Sequence, residues 1–117
     1  MSVSEPLVQS ILLGDAVENA PVVILVADEE MRYVAANRFA CDMLGYSREE
    51  LLTLRVTDVA RHQEAPAEFQ KMLHTGELSG RSKIVRKDGI EITFDYHASE
   101  TEIAGLKYYV SLGWIET

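Results

Sequence analysis

The stretch VVILVADEEMRYVAANRFACDMLGYSREELL, residues 22–52, carries an ordered run of local signals that decides the fold. Val22, Val23, Ile24, Leu25 and Val26 form an unbroken aliphatic run of strand length, as expected of a strand buried on both faces. Asp28-Glu29-Glu30 is a polar break, after which Arg32, Tyr33, Val34 and Ala35 resume extended structure, so the pair reads as a hairpin. Asn37 can cap a following helix with its side-chain amide, and Phe39, Ala40, Met43 and Leu44 recur at helical spacing. Gly45 ends that helix, because glycine reaches the left-handed conformation without a Cβ clash. Ser47 and Glu50 have the spacing of a capping box, so a second short helix starts at once.

Upstream, Leu7, Val8, Ile11, Leu12, Ala16 and Val17 fall at spacings of three to five, which predicts an amphipathic helix over residues 6–19 with Gly14-Asp15 as its weak point. Such a helix needs a surface to dock on. Downstream, residues 57–61 suggest a short turn, and Ala67, Phe69, Met72 and Leu73 a helix that ends at Gly76. Residues 82–86 and 90–99 then read as strands joined through Lys87-Asp88-Gly89, since Asp-Gly is a strong tight-turn signal. A loop around residues 102–105 leads to a last strand over residues 107–115. There is no internal repeat and no low-complexity segment.

A chain of 117 residues fits one domain and can bury a core without disulfides or metal. Its composition, 47% hydrophobic and 26% charged, contains no apolar run near the roughly 20 residues of a membrane span, and reads as soluble and globular. The N-terminus lacks a basic segment followed by an apolar core, and lone Cys41 cannot form an internal disulfide, so the expected compartment is the cytoplasm. Net charge −8 opposes nonspecific binding to nucleic acid and to anionic membranes. No nucleophile with a base, carboxylate dyad or phosphate-binding glycine loop stands out, so no enzyme activity is expected. No two histidines sit at metal-ligand spacing, and one cysteine cannot complete a zinc site.

Helix, two strands, several short helices and three strands, with these local words, resemble a PAS domain of the S-box type. The resemblance rests on residues 16–20 followed by Pro21, on Asn37, on Gly45-Tyr46-Ser47 with Glu49, Glu50 and Leu51, and on Lys87-Asp88-Gly89. It implies an α+β fold, a five-stranded antiparallel sheet with short helices over one face, occupying residues 20–117 behind an N-terminal helix or linker over 1–19. It also implies a sensory or regulatory module of a signal-transduction protein, with a small ligand between sheet and helices and an output domain or partner protein.

Cofactor subclasses of the family can be tested position by position. In the flavin photosensors of the LOV type, the adduct-forming cysteine falls at Val56, and the asparagine and glutamine that hold the flavin edge fall on Phe94 and Gly113. Covalent flavin photochemistry is thereby excluded, and Cys41 on the preceding helix reads as a small core residue. Haem relatives use a histidine in or after the long helix, where His74 is the near match; its place beside Gly76 points to solvent, and His62 and His97 fit less well. The cofactor is therefore left unknown, with none as one option.

Strand alternation, oriented by the resemblance, puts Ile92, Phe94, Tyr96, Ala98, Tyr109, Ser111 and Gly113 on the face under the helices, with Leu25 and Ala27. Leu25, Ala27, Phe94, Tyr96, Tyr109, Ser111 and Gly113, together with Asn37 and Cys41 from the helical side, are the candidate ligand contacts. The rings could equally fill the interior with no ligand. Tyr108, Val110, Leu112 and Trp114 project from the other face as an apolar strip that calls for a cover. The expected cover is the N-terminal helix, through Leu7 and Ile11, exchanged in a homodimer or folded back in its own chain. The chain ends Ile115-Glu116-Thr117, where family members often have Asp-Ile-Thr before an output helix; only the threonine matches, which reads as a cut from a larger regulator. A ligand-free interaction module is the competing function.

Overall fold

The aliphatic run at 22–26 becomes β1 (Val23–Asp28), and its neighbours explain its composition. In the computed structural model, which describes residues 5–60 and 65–115, β1 lies between β2 (Tyr33–Ala36) and β5 (Leu106–Ile115), both antiparallel. Val23, Ile24 and Leu25 are all buried, as a strand covered on both faces requires. The Asp28 carboxylate closes the β1–β2 turn, accepting from the backbone of Glu30 at 2.9 Å and of Arg32 at 3.0 Å. Burial alone would raise its pKa, but these bonds and the Arg32 guanidinium hold it below the usual carboxylate value.

The helical words fall where the sequence places them. Asn37 caps α2 (Arg38–Leu44) by accepting from Ala40 N at 3.0 Å, and Gly45 ends it at φ 81°. Ser47 and Glu50 close their capping box around α3 (Arg48–Leu51). The next turn, α4 (Val56–Val59), starts one residue earlier than expected, because Asp58 Oδ2 accepts from Arg55 N at 2.8 Å; Arg61 lies outside the described residues. α5 (Ala65–Thr75) stops at Gly76, whose φ is 73°.

Three strands complete a sheet of order β2-β1-β5-β4-β3. β3 (Glu77–Val85) begins five residues before the expected start, since Glu77 to Arg81 lack a strand pattern of their own and are held by pairing with β4 (Glu91–Ile103), Glu77 opposite Ser99. The Asp88-Gly89 turn forms as its composition dictates, with Gly89 at φ 88°. The expected loop at 102–105 is instead a two-residue turn, Ala104 and Gly105 at φ 53° and 81°, with Glu102 already paired to Lys107. Both central residues left-handed is the turn that suits a twisted hairpin.

The N-terminal helix α1 (Pro6–Asn19) is continuous through Gly14. None of its residues is buried, and Leu7, Ile11, Leu12, Leu13 and Val17 are exposed. Polar links hold its C-terminal end: Asn37 Nδ2 donates to Val17 O at 2.9 Å, and the Arg48 guanidinium pairs with Glu18. Among the described residues, no helix is long and apolar enough to cross a membrane.

Candidate functional site

Between the inner sheet face and α4–α5 lies a cavity of about 100 Å³. Each strand contributes every second side chain: Leu25 and Ala27 from β1, Phe94, Tyr96 and Ala98 from β4, Tyr109 and Ser111 from β5. Val56 and Ala60 from the α4 turn and Phe69 and Met72 from α5 close the other side. The α4 turn is fixed over the cavity by Val56 N, which donates to Met31 O at 2.8 Å, and by Tyr33 N, which donates to Leu54 O at 3.0 Å.

The rings pack in two pairs. Phe94 and Tyr96 are stacked with centroids 5.8 Å apart, and Phe69 meets Tyr109 edge to face at 5.7 Å. The Tyr109 hydroxyl donates to Glu100 Oε1 at 3.4 Å, at the cavity rim. Burial, then the Glu100 and Glu29 carboxylates, push the Tyr109 pKa up, and burial with the Asp58 carboxylate pushes Tyr33 up further. Both phenols are therefore neutral at physiological pH. Among the described residues the lining carries hydroxyl groups and no charged side chain.

Six of the nine candidate ligand contacts meet here: Leu25, Ala27, Phe94, Tyr96, Tyr109 and Ser111. Asn37 does not. Its side chain is occupied by the backbone, accepting from Ile24 N and Ala40 N and donating to Val17 O and Val22 O. Cys41 packs half-buried against the main core, with its thiol pKa pushed up by burial. Gly113 is a seat for its neighbours: a Cβ there would overlap the Phe94 ring and the Asp95 carbonyl. The sequence reading missed Tyr33, Val56, Ala60, Phe69, Met72, Leu78, Ser82 and Ile84. Alternation along residues 82–86, where Ser82 and Ile84 share a parity, was the available signal for two of them.

On the outer face Leu112 and Trp114 are exposed and Tyr108 and Val110 half-buried, beside Ile24 and Val26 of β1. The other half of this face is charged, with Arg81 paired to Asp95 at 2.9 Å and His97 bonded to Ser79 at 2.8 Å. Leu112 is 39% and Trp114 51% exposed, so α1 does not fold back over the strip in its own chain.

Val56 lines the cavity at the flavin-adduct position but has no thiol, and the Phe94 ring fills the space over Gly113. His74 is exposed on α5 and His97 lies on the outer face, so no histidine among the described residues lines the cavity; His62 lies outside them. No group of three metal-ligating side chains occurs among the described residues.

An antiparallel five-stranded sheet whose inner face is roofed by short helices around a small apolar cavity defines an α+β domain with an internal cavity. The chain belongs to the PAS domain family, which its sequence matches over residues 12–101. Its fold is similar to that of a PAS domain from a two-component sensor histidine kinase, with 13% identity, TM-score 0.85 and coverage of 96% of this chain and 100% of that one. It is also similar to a domain of a sensory box sensor histidine kinase/response regulator from Geobacter sulfurreducens, with 21% identity, TM-score 0.82 and coverage of 97% and 99%. An RNA-binding light-oxygen-voltage receptor shares the fold at 19% identity and TM-score 0.82, covering 98% of this chain and 35% of that one. No curated protein sequence matches the chain.

Proposed function

We propose that this chain is the sensory or regulatory input module of a signal-transduction protein, binding a small ligand in the cavity and signalling through dimerisation or a partner domain. The observation that carries this reading is the cavity itself, apolar, lined with hydroxyl groups, and enclosed by elements from both the sheet and the helices. A ligand that fits one arrangement of these elements better than another biases both, and through β5 it reaches the outer strip. The sensor-kinase domains of the same fold support an output domain as the partner. The role is binding and not catalysis, in keeping with neutral phenols and a lining that is uncharged among the described residues. A cytoplasmic setting and no nucleic-acid partner belong to the same reading.

Native mass spectrometry of the purified protein, with an absorbance scan, tests it. A bound small mass that disappears in Ser111→Leu, with the dimer intact, is the expected result. No added mass, and no ligand response that Ser111→Leu alters, would refute it. A second reading, a ligand-free interaction module, is favoured by the exposure of Leu112 and Trp114. Its signature is a dimer or a partner complex that no ligand perturbs.

A further inference from the structure

The size and lining of the cavity restrict what it can hold. Pockets for drug-sized ligands run to about 300–1,000 Å³, and an engineered apolar cavity of about 150 Å³ takes up benzene. The cavity here is about 100 Å³, so a ligand of benzene size or less is the largest that enters without movement of the roof. A charged ligand would have to leave its hydration shell for a lining that has no charged side chain among the described residues, at a prohibitive cost unless paired. An anion faces a further barrier, since the Glu100 and Asp58 carboxylates stand behind Tyr109 and Tyr33.

Two of the lining hydroxyls, those of Ser111 and Tyr33, are open to a ligand. Ser111 is paired in the sheet with Leu25 on one side and Ala98 on the other, which places its side chain on the floor of the cavity between an aliphatic and a methyl group. Its hydroxyl has no hydrogen-bond partner among the described residues. Tyr109 bonds Glu100, Ser82 and Tyr96 have partners of their own, and the Tyr33 hydroxyl stands near the Asp58 carboxylate. Ser111 is half-buried, and a ligand with one matching polar atom gives its hydroxyl a partner away from water.

We propose that the cavity selects an uncharged ring or short-chain molecule of about benzene size carrying one hydroxyl or carbonyl group, which hydrogen-bonds to Ser111 Oγ. This specificity rests on the ligand-binding reading above. The aromatic pairs supply the apolar contact, and Ser111 supplies orientation.

Titration of the full chain with phenol, benzene, benzoate and cyclohexylammonium, followed by amide chemical shifts, tests the specificity. Phenol should bind about tenfold tighter than benzene, the worth of roughly one hydrogen bond, and the two ions at least a hundredfold more weakly than phenol. Ser111→Ala should reduce phenol to the affinity of benzene and leave benzene unchanged, and Ser111→Thr, which keeps the hydroxyl, should restore the preference. Ions that bind as well as phenol, or a phenol preference that survives Ser111→Ala, would overturn the proposal. So would the failure of all four probes. The native mass separates that failure from failure of the function: a larger molecule co-purifying in the cavity overturns only the specificity, whereas an empty, unresponsive cavity overturns both.

Discussion

Residues 109–114 of β5 serve two faces of one sheet, and the two faces have met opposite ends. Tyr109 and Gly113 on the inner face are buried, while Leu112 and Trp114 on the outer face stay exposed. Apolar content does not separate them. The inner face interleaves large rings with Ala27, Ala98, Ser111 and Gly113, so that side chains from α4 and α5 can sink between them. The outer strip has no small residue from Tyr108 to Trp114 at its own parity, and offers a raised surface that suits a second flat apolar element. Closure therefore depends on depth available for interdigitation, which the outer strip lacks.

The sharpest way to break this comparison is to remove the depth. Gly113→Val should destabilise the fold by about 3 kcal/mol, because its side chain would collide with the Phe94 ring and with backbone that cannot yield. Denaturant unfolding measures it, and a loss below about 1 kcal/mol would show that the inner face is looser than its packing implies. Asn37→Ala should come next, at about 2 kcal/mol, through the lost cap of α2 and the unpaired Ile24 N–H. Asn37→Asp keeps both acceptor bonds and loses only the amide donations to Val17 O and Val22 O, so it should cost less and loosen α1 selectively. Amide exchange in α1 would report that difference.

The same residues show what the sequence could reveal. The β1 run, the Ser47–Glu50 capping box and the Asp88-Gly89 turn are local signals with local causes, and each formed where its residues dictate. Strand alternation located the part of the cavity that β1, β4 and β5 supply, because parity is a local property too. The helical half was not legible: Val56 and Ala60 reach the cavity through the tie between the α4 turn and the β1–β2 hairpin, and Phe69 and Met72 through the packing of α5 on β3 and β4, all contacts between distant residues. Asn37 was placed among the ligand contacts because a side-chain amide that caps a helix and one that reads a ligand look alike in sequence. Glu77 to Arg81 joined β3 through pairing alone.

A smaller effect comes from pH. Tyr33 and Tyr109 have raised pKa values in the fold, so the folded chain holds these protons more tightly than the unfolded one. Their contribution is complete below the ordinary tyrosine value of about 10 and is lost as pH rises beyond it toward the folded values. Unfolding midpoints measured from pH 8 to 11 should fall, and Tyr33→Phe should flatten part of that fall by removing the more strongly shifted group. An unchanged slope in Tyr33→Phe would mean that the Tyr33 hydroxyl is hydrated in the fold.

The smallest effect on stability should come from the outer face, and there lies its value. Trp114 is half-exposed opposite Asp95, so Trp114→Glu should change unfolding by less than about 0.5 kcal/mol, apart from a local repulsion between the two carboxylates. If the strip is covered by α1 or the strip of a second copy, the same substitution should shift sedimentation from dimer to monomer, since a charge buried in an apolar interface costs far more than one in water. Concentration-dependent sedimentation of the wild type and of Trp114→Glu reads both quantities. A dimer that survives the substitution would move the interface elsewhere. A large loss of monomer stability would mean that the two faces differ less than their exposure indicates, with Trp114 supporting the sheet from outside as Phe94 does from within.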